Sequence, residues 1–150
     1  MLKSSEPYIR MARSTDANAL ASCIEAAYAK YEERIADLPN VSEGIADEIA
    51  NKQVWVALES GEIVASLFLA ANDGFLKLEN LAVHPNHSGK GLGRRLTELA
   101  ENEARLQGYE ELRLNTHLEI PENIKLYEHL GWEKISQNGK SVSMRKIPIN

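Results

Sequence analysis

The sequence predicts a single α/β domain with a mixed, mostly antiparallel central sheet and helices on both faces. Strand-type and helix-type runs follow one another in the order βααβββαβαββ over the 150 residues. Tight turns at Ser60-Gly61 and Asn72-Asp73-Gly74 separate three successive strand runs, which indicates antiparallel hairpins. A strand, a helix and a further strand follow over residues 75–117, which indicates one crossover connection.

The elements of the first half are predicted from their spacing and their capping residues. Residues 8–12 are predicted to form a strand, and Ser14-Thr15-Asp16 is predicted to cap a helix with apolar residues at helical spacing. Cys23 lies on that apolar stripe, so we interpret it as a core residue. Leu38-Pro39-Asn40 breaks the helix, and a second, shorter helix is predicted over Ser42–Asn51 with Ser42 as its cap.

The second half alternates strands with two further helices. Leu92, Leu96 and Leu99 share one face of a helix that ends near Gly108, and Pro121 opens a helix that is closed by Gly131. An Asn138-Gly139 turn joins the last two strands. The predicted strands after the second helix cover residues 54–58, 63–69, 75–83, 112–117, 132–136 and 141–147.

Composition is that of an ordinary globular protein. The chain is 43% hydrophobic and 26% charged, and no apolar run approaches the ~18–20 residues that span a bilayer. The N-terminal residues lack the apolar region of a signal peptide, and a single cysteine excludes an internal disulfide. We therefore expect a cytoplasmic protein.

The net charge of −5 is concentrated in one segment. Residues 25–50 contain seven acidic and two basic side chains, and acids and bases balance in the remainder. A nucleic-acid-binding protein usually carries a basic stripe, and the sequence shows none. We therefore expect no nucleic-acid partner.

A glycine-rich loop lies between the strand ending at Val83 and the next helix. Three glycines, Gly89, Gly91 and Gly93, occupy alternate positions, with basic residues around them. Such glycines let several main-chain N–H groups point one way, and a helix start adds unpaired donors and partial positive charge. The loop is therefore predicted to bind a phosphate or pyrophosphate.

Two common phosphate loops do not match this pattern. A Walker-type loop needs Lys and then Ser or Thr after its last glycine, and here Arg94-Arg95 follows Gly93. A Rossmann loop has the spacing GxGxxG in a βαβ unit, whereas this loop is GxGxG and follows antiparallel hairpins. A tight turn without a ligand remains the alternative, although one glycine would suffice for it.

The chain resembles the GNAT superfamily of N-acetyltransferases. The first matching motif runs from Leu81-Ala82-Val83-His84-Pro85 to Ser88-Gly89-Lys90-Gly91-Leu92-Gly93, and the second is Leu126-Tyr127-Glu128-His129-Leu130-Gly131-Trp132. The resemblance implies one N-acetyltransferase domain over residues 1–150, with acetyl-CoA as co-substrate and no metal. Dimerisation is common in this family, so a homodimer is among the expectations, although no sequence feature demands it.

The resemblance also implies a set of cofactor contacts. The pyrophosphate is expected on the N–H groups from Gly89 to Arg94, and the pantetheine arm along Leu81 and Val83, with an N–H near Ala82 or Val83 polarising the thioester carbonyl. Ser88 stands where the family usually has Arg or Gln, and Ile120 where many members have Asn, which leaves Asn123 as the nearest asparagine. The implied contacts are Leu81, Ala82, Val83, Ser88, Gly89, Lys90, Gly91, Leu92, Gly93, Arg94, Asn123 and Tyr127.

Acetyl transfer to an amine needs a proton acceptor and a proton donor. An amine of pKa ~10.4 is neutral in about one molecule in 2,500 at pH 7, so the site has to remove a proton. Tyr127 is the predicted acid because a phenol can protonate the leaving thiolate, with a core tyrosine as the alternative. Glu79 is the predicted base, since alternation along the strand would point it the same way as Leu81 and Val83. A charge pair or solvated position is the alternative for Glu79, and His117 and Glu119 are alternative bases.

The acceptor and the function class stay open at this point. An acidic N-terminal segment including Glu32, Glu33 and Asp37 would attract a cationic amine, or it is a solvated helical face. The acceptor is a small molecule or a peptide amine. The alternative function is a non-catalytic acyl-CoA-binding module. His84 and His87 have no convincing third ligand, so no metal site is expected.

Overall fold

The computed structural model describes residues 8–32 and 44–148. Its strands are β1 (Tyr8–Met11), β2 (Gln53–Glu59), β3 (Glu62–Ala71), β4 (Leu76–Val83), β5 (Leu112–His117), β6 (Glu133–Asn138) and β7 (Ser141–Lys146). Its α-helices are α1 (Ala17–Glu32), α2 (Ile45–Asn51), α3 (Leu92–Leu106) and α4 (Pro121–His129). The predicted order is confirmed, with two added short 3-10 helices, Ser14–Asp16 and Pro85–His87.

Two predicted features fall outside this description, namely the break at Leu38-Pro39-Asn40 and the cap at Ser42. The acidic residues Glu33 and Asp37 lie outside it as well. Within the described residues, no helix has the length and apolar character needed to cross a membrane.

The seven strands found in residues 8–32 and 44–148 form one sheet in the order β1-β2-β3-β4-β5-β7-β6. Neighbouring strands are antiparallel except β4 and β5, which are parallel and joined by the α3 crossover. This parallel pairing covers three residue pairs, from Leu76–Leu112 to Leu78–Leu114. Beyond Leu78 and Leu114 the two strands separate, which leaves an opening between their C-terminal halves.

The sheet is covered on both faces, as predicted. On one face α3 buries Leu96 and Ala100 against Leu67 of β3. On the other face α1 buries Leu20 and Ile24 against strands β2 to β4. Fully burying one such leucine or isoleucine side chain contributes about 1.5–3 kcal/mol, so these two clusters hold the layers together.

Asp16 connects the first strand to the first helix. Its carboxylate accepts two hydrogen bonds from the Arg10 guanidinium, at 2.7 and 3.1 Å, and one from the Arg13 main-chain N–H at 2.7 Å. Ser14, Thr15 and Asp16 were the predicted capping residues, and the side chain of Asp16 accepts a hydrogen bond from a main-chain N–H at the start of the helix. The Arg10 hydrogen bond holds the pKa of Asp16 below its usual value.

Cys23 lies in the core, as its position on the apolar stripe predicted. It is 3% exposed. Burial raises the pKa of its thiol to about 11, and hydrogen bonding to the main chain of His84 opposes that rise. The thiol is therefore protonated at physiological pH and is not a ready nucleophile.

Candidate functional site

A cavity of about 470 Å³ occupies the opening between β4 and β5. Side chains from α1, β4, β5, α4 and the β6–β7 hairpin surround it. Five candidate residues named from the sequence line this one cavity, namely Glu79, Leu81, His117, Asn123 and Tyr127. The full lining is Tyr28, Leu78, Glu79, Asn80, Leu81, Leu114, Asn115, Thr116, His117, Ile120, Asn123, Tyr127, Asn138, Lys140 and Ser141.

The main chain of β4 presents polar groups to this opening at alternate residues. The His84 N–H donates to the Val64 oxygen at 2.9 Å, so His84 forms a hydrogen-bonded pair with β3. Antiparallel pairs alternate between bonded and non-bonded, and Val83 pairs with Ala65 in the next position. The N–H and C=O of Val83, and of Leu81 two residues earlier, therefore point away from β3 and toward the gap.

Ala82 differs from these two residues in the direction of its main-chain groups. It pairs with Ser66 of β3 in a hydrogen-bonded position, so its N–H and C=O are directed at β3. Its side chain is buried in the cluster under α1. Leu81 and Val83 are therefore the residues of this stretch with main-chain groups turned toward the gap, and a cofactor contact at Ala82 stays a prediction.

Glu79 occupies a β-bulge in the middle of β4. Leu69 pairs with Leu78 and Phe68 pairs with Asn80, so Glu79 is the extra residue between them. This insertion breaks the strand alternation from which the direction of Glu79 was predicted. Leu81 and Val83 pack against the α3-side cluster, whereas the Glu79 carboxylate contacts the ammonium of Lys52 after α2.

The glycine loop presents a row of main-chain donors. Gly89 and Gly91 have φ values of 79° and 82°, which side-chain-bearing residues rarely adopt, and Gly91 is the N-cap of α3. Within the described residues, the N–H groups of residues 89–94 donate to no main-chain oxygen, and the first helical bond runs from Arg95 to Gly91 at 3.0 Å. Such a row of unpaired donors at a helix start favours an anion.

The side chains of the loop have separate environments. The Ser88 hydroxyl donates to the Pro85 oxygen at 3.0 Å and so stabilises the turn. The Leu92 side chain is 2% exposed, which leaves its N–H as the group that can face a ligand. The Lys90 ammonium contacts the Glu59 carboxylate at 3.1 Å, while Arg94 is exposed at the surface.

Tyr127 combines burial with access to the cavity. It is 7% exposed, and its ring lies edge-on to Trp132 with the ring centroids 5.7 Å apart. Burial, together with the nearby phenols of Tyr28 and Tyr31, raises the pKa of Tyr127 far above its ordinary value. The phenol therefore keeps its proton at physiological pH, as a proton donor requires.

The two alternative bases have their own contacts. The Nδ1 atom of His117 accepts the Glu119 main-chain N–H at 3.0 Å, so the neutral ring carries its hydrogen on Nε2. A neutral His117 of this tautomer is a donor at Nε2, which disfavours it as the proton acceptor. The Glu119 carboxylate contacts the Lys140 ammonium at 2.6 Å and does not line the cavity.

Sequence reasoning missed two charged residues beside the site. Lys52 contacts Glu79, and Glu59 contacts both His87, at 2.6 Å, and Lys90. Lys52 and Glu79 are 27 residues apart along the chain, and Glu59 and Lys90 are 31 residues apart. No local pattern could have predicted such pairs, because each one depends on strand pairing and helix docking.

Comparison with known proteins gives the same assignment from sequence and from fold. The family model described as "Acetyltransferase (GNAT) domain" matches residues 50–134. The uncharacterised N-acetyltransferase YjgM of Escherichia coli is 35% identical over 85 residues, which is 54% of this chain and 51% of that protein. The matched region thus spans about half the length of that relative.

Solved structures with the same fold share little sequence with this chain. The PaiA N-acetyltransferase of Thermoplasma acidophilum, solved with coenzyme A, superposes with a TM-score of 0.82 at 20% identity, covering 95% of this chain and 99% of that one. The ribosomal-protein-S18-alanine N-acetyltransferase of Escherichia coli gives 0.79 at 20% identity, covering 95% and 94%. With more than half of its length matched by the family model, this chain belongs to the GNAT acetyltransferase family.

Proposed function

We propose that this protein transfers the acetyl group of acetyl-CoA to a primary amine. The observation that carries the proposal is the opening between β4 and β5, where Leu81, whose main-chain groups point into the gap, and the buried Tyr127 line one cavity. Cofactor binding and proton donation would then use adjacent parts of one cleft.

The residues of the glycine loop fit a pyrophosphate. Six consecutive N–H groups over residues 89–94 would donate to phosphate oxygens, and a Cβ added at Gly89, Gly91 or Gly93 would meet no atom within 4 Å. The space beside those glycines is therefore open on the protein side. Binding would also compete for Lys90, which Glu59 holds in this structure. Lys90 and Arg94 would add positive charge at the loop.

The side chains of the cleft would supply the proton chemistry. Bound acetyl-CoA would provide an acetyl group activated as a thioester. The N–H of Val83 would polarise a carbonyl oxygen in the gap, and Tyr127 would donate a proton to the leaving thiolate. Glu79 would accept the proton of the acceptor ammonium, directly or through water. Asn123 would hydrogen-bond to the pantetheine arm, and no metal enters this scheme.

The acceptor is proposed as a small molecule or peptide carrying a primary amine, with a preference for cationic compounds. Glu32 of α1 and Glu48 of α2 lie on the two helices of the acidic segment. Their charge would raise the local concentration of a cationic acceptor. The cytoplasmic location and a homodimer, both expected from the sequence and its resemblance, stay predictions.

Thiol release from acetyl-CoA, measured against a panel of amino acids, polyamines, aminoglycosides and short peptides, tests the proposal. Tyr127→Phe is expected to lower kcat by about tenfold or more while leaving the Kd for coenzyme A unchanged. Tyr109→Phe is the matched control, since Tyr109 packs against the same cluster but does not line the cavity. Wild-type binding of acetyl-CoA without thiol release for any amine would favour the binding-module alternative.

A further inference from the structure

Glu79 lies in the bulge of β4, so the regular pairing of β4 with β3 does not fix the direction of its side chain. An extra residue in a bulge is not paired across the sheet, so its side chain leaves the regular in-and-out alternation. The Glu79 side chain is 27% exposed, at the edge of the cavity. A carboxylate in such a position has several rotamers available unless another group holds it.

Lys52 is the group that holds it. Lys52 follows the last residue of α2, and its ammonium contacts the Oε1 atom of Glu79 and, at 3.0 Å, the Oε2 atom of Glu48. Hydrogen bonding to Glu79, and then to Glu48, holds the pKa of Lys52 above its ordinary value. Lys52 is therefore charged at physiological pH and pairs with the carboxylate as a cation.

The two oxygens of the Glu79 carboxylate differ in their surroundings. The Lys52 ammonium donates to Oε1, and in the part of the chain that the structure describes no hydrogen bond reaches Oε2. One oxygen is thus fixed by the protein, and the second is available to a ligand in the cavity. A base that takes a proton from an acceptor amine needs one such available oxygen in a fixed direction.

We propose that Lys52 is the positioning residue for Glu79, fixing the carboxylate through Oε1 so that Oε2 meets the acceptor amine. The inference rests on the proposed function, because it assigns Glu79 as the proton acceptor. Lys52 acts through Glu79 and does not itself touch the substrate. It also links α2, on the acidic side of the acceptor approach, to the strand that carries the cofactor-binding main chain.

Other charged or titratable groups line the cavity together with Glu79. Within the described residues, Lys52 is the cation in contact with the carboxylate, and Lys140, which lines the cavity, contacts Glu119 at 2.6 Å. The titratable groups that line the cavity with Glu79 are Tyr28 from α1, His117 from β5, Tyr127 from α4 and Lys140 from the β6–β7 turn, while Glu48 of α2 contacts Lys52.

Steady-state kinetics test the role of Lys52. Lys52→Met is expected to lower kcat/KM for the acceptor by about tenfold or more at pH 7, with the KM for acetyl-CoA unchanged. Lys52→Arg should restore most of the activity, and Lys134→Met, the matched loss of a lysine that contacts Gln137 and does not line the cavity, should behave like wild type.

A double-variant comparison separates positioning from packing. In a Glu79→Gln background, Lys52→Met should cause no further loss of kcat/KM, because the two residues act as one unit. The inference would be overturned if the losses of kcat/KM in the two single variants added up in the double variant. It would also be overturned if Lys52→Met behaved like wild type, or if Lys52→Arg were as impaired as Lys52→Met. Absence of wild-type thiol release would instead overturn the proposed function. In that case the ion pair between Lys52 and Glu79 can still be tested by a double-mutant cycle that measures the free energy of unfolding. Additive changes in that free energy would show that the two residues do not interact and would overturn the inference.

Discussion

Gly93→Ala distinguishes two possible reasons for glycine at this position, namely the conformation of the main chain and the close approach of a bound phosphate. Gly89 and Gly91 have positive φ values, but Gly93 is the second residue of α3, and its φ is not positive. A Cβ at Gly93 meets no atom within 4 Å. Nothing in the folded chain therefore demands glycine there, and close approach of a phosphate becomes the reason for it.

Opposite effects on stability and binding are expected. Alanine at a helical position in place of Gly93 should raise the free energy of unfolding by about 0.4–1 kcal/mol. For a chain of this size, that corresponds to a rise in Tm of about 1–4 °C. A methyl group beside the phosphate would remove one charge-assisted hydrogen bond, costing about 1.5–3 kcal/mol. The Kd for coenzyme A should therefore rise by about tenfold to 150-fold.

Thermal unfolding without ligand and calorimetric titration with coenzyme A measure the two effects. Gly91→Ala should lose about 1–2 kcal/mol of stability, since its φ of 82° is strained for alanine. Gly108→Ala, at a φ of 83° after α3, should lose as much stability while keeping wild-type affinity. If Gly93→Ala binds coenzyme A as wild type does, the close-approach argument is refuted.

Gly131→Ala should lower the free energy of unfolding by about 1–2 kcal/mol. The φ of 96° is strained for alanine, and a Cβ would lie 3.1 Å from Lys146 Cε. An unchanged midpoint of urea unfolding would contradict this prediction. Asp16→Asn should cost about 1.5–3 kcal/mol near pH 7 through its bonds to Arg10. The pKa of Asp16 is lowered in the folded state, so its carboxylate stabilises the fold at pH values above the ordinary pKa of a carboxyl group. This stabilisation is lost as the pH falls and Asp16 becomes protonated. The denaturation midpoints of the wild type and Asp16→Asn should therefore converge in acid. For a cationic acceptor, kcat/KM should fall as salt rises; no change would argue against steering by the acidic helices.

Local signals account for the parts of the fold that the sequence predicted. Helical spacing, turn dipeptides and glycine positions each act over a few residues, so α1, the β2–β3 hairpin and the α3 start were predictable from them. The same holds for the burial of Cys23, which follows from its place on the apolar stripe. The turn before α3 was predictable from its closely spaced glycines, of which Gly89 and Gly91 have positive φ values.

The details at Glu79 and Ala82 could not be predicted in this way. A bulge changes the direction of one side chain without changing composition, so the alternation argument failed at Glu79. Which strand neighbour receives the Ala82 N–H depends on register with β3, a property of the assembled sheet. The ion pairs of Lys52 and Glu59 likewise join distant segments and have no signature in the sequence.

The short parallel contact between β4 and β5 has a consequence for how the molecule unfolds. Three residue pairs connect these strands, so β1–β4 and β5–β7 meet along a narrow boundary within one sheet. Segments joined by few hydrogen bonds open as separate units, so amide hydrogen exchange should be faster in β5–β7 than in β2 and β3. A ligand lying between the two edges would bind both units at once and couple their opening. Coenzyme A should therefore make exchange more uniform across the sheet, as well as raising the midpoint of unfolding.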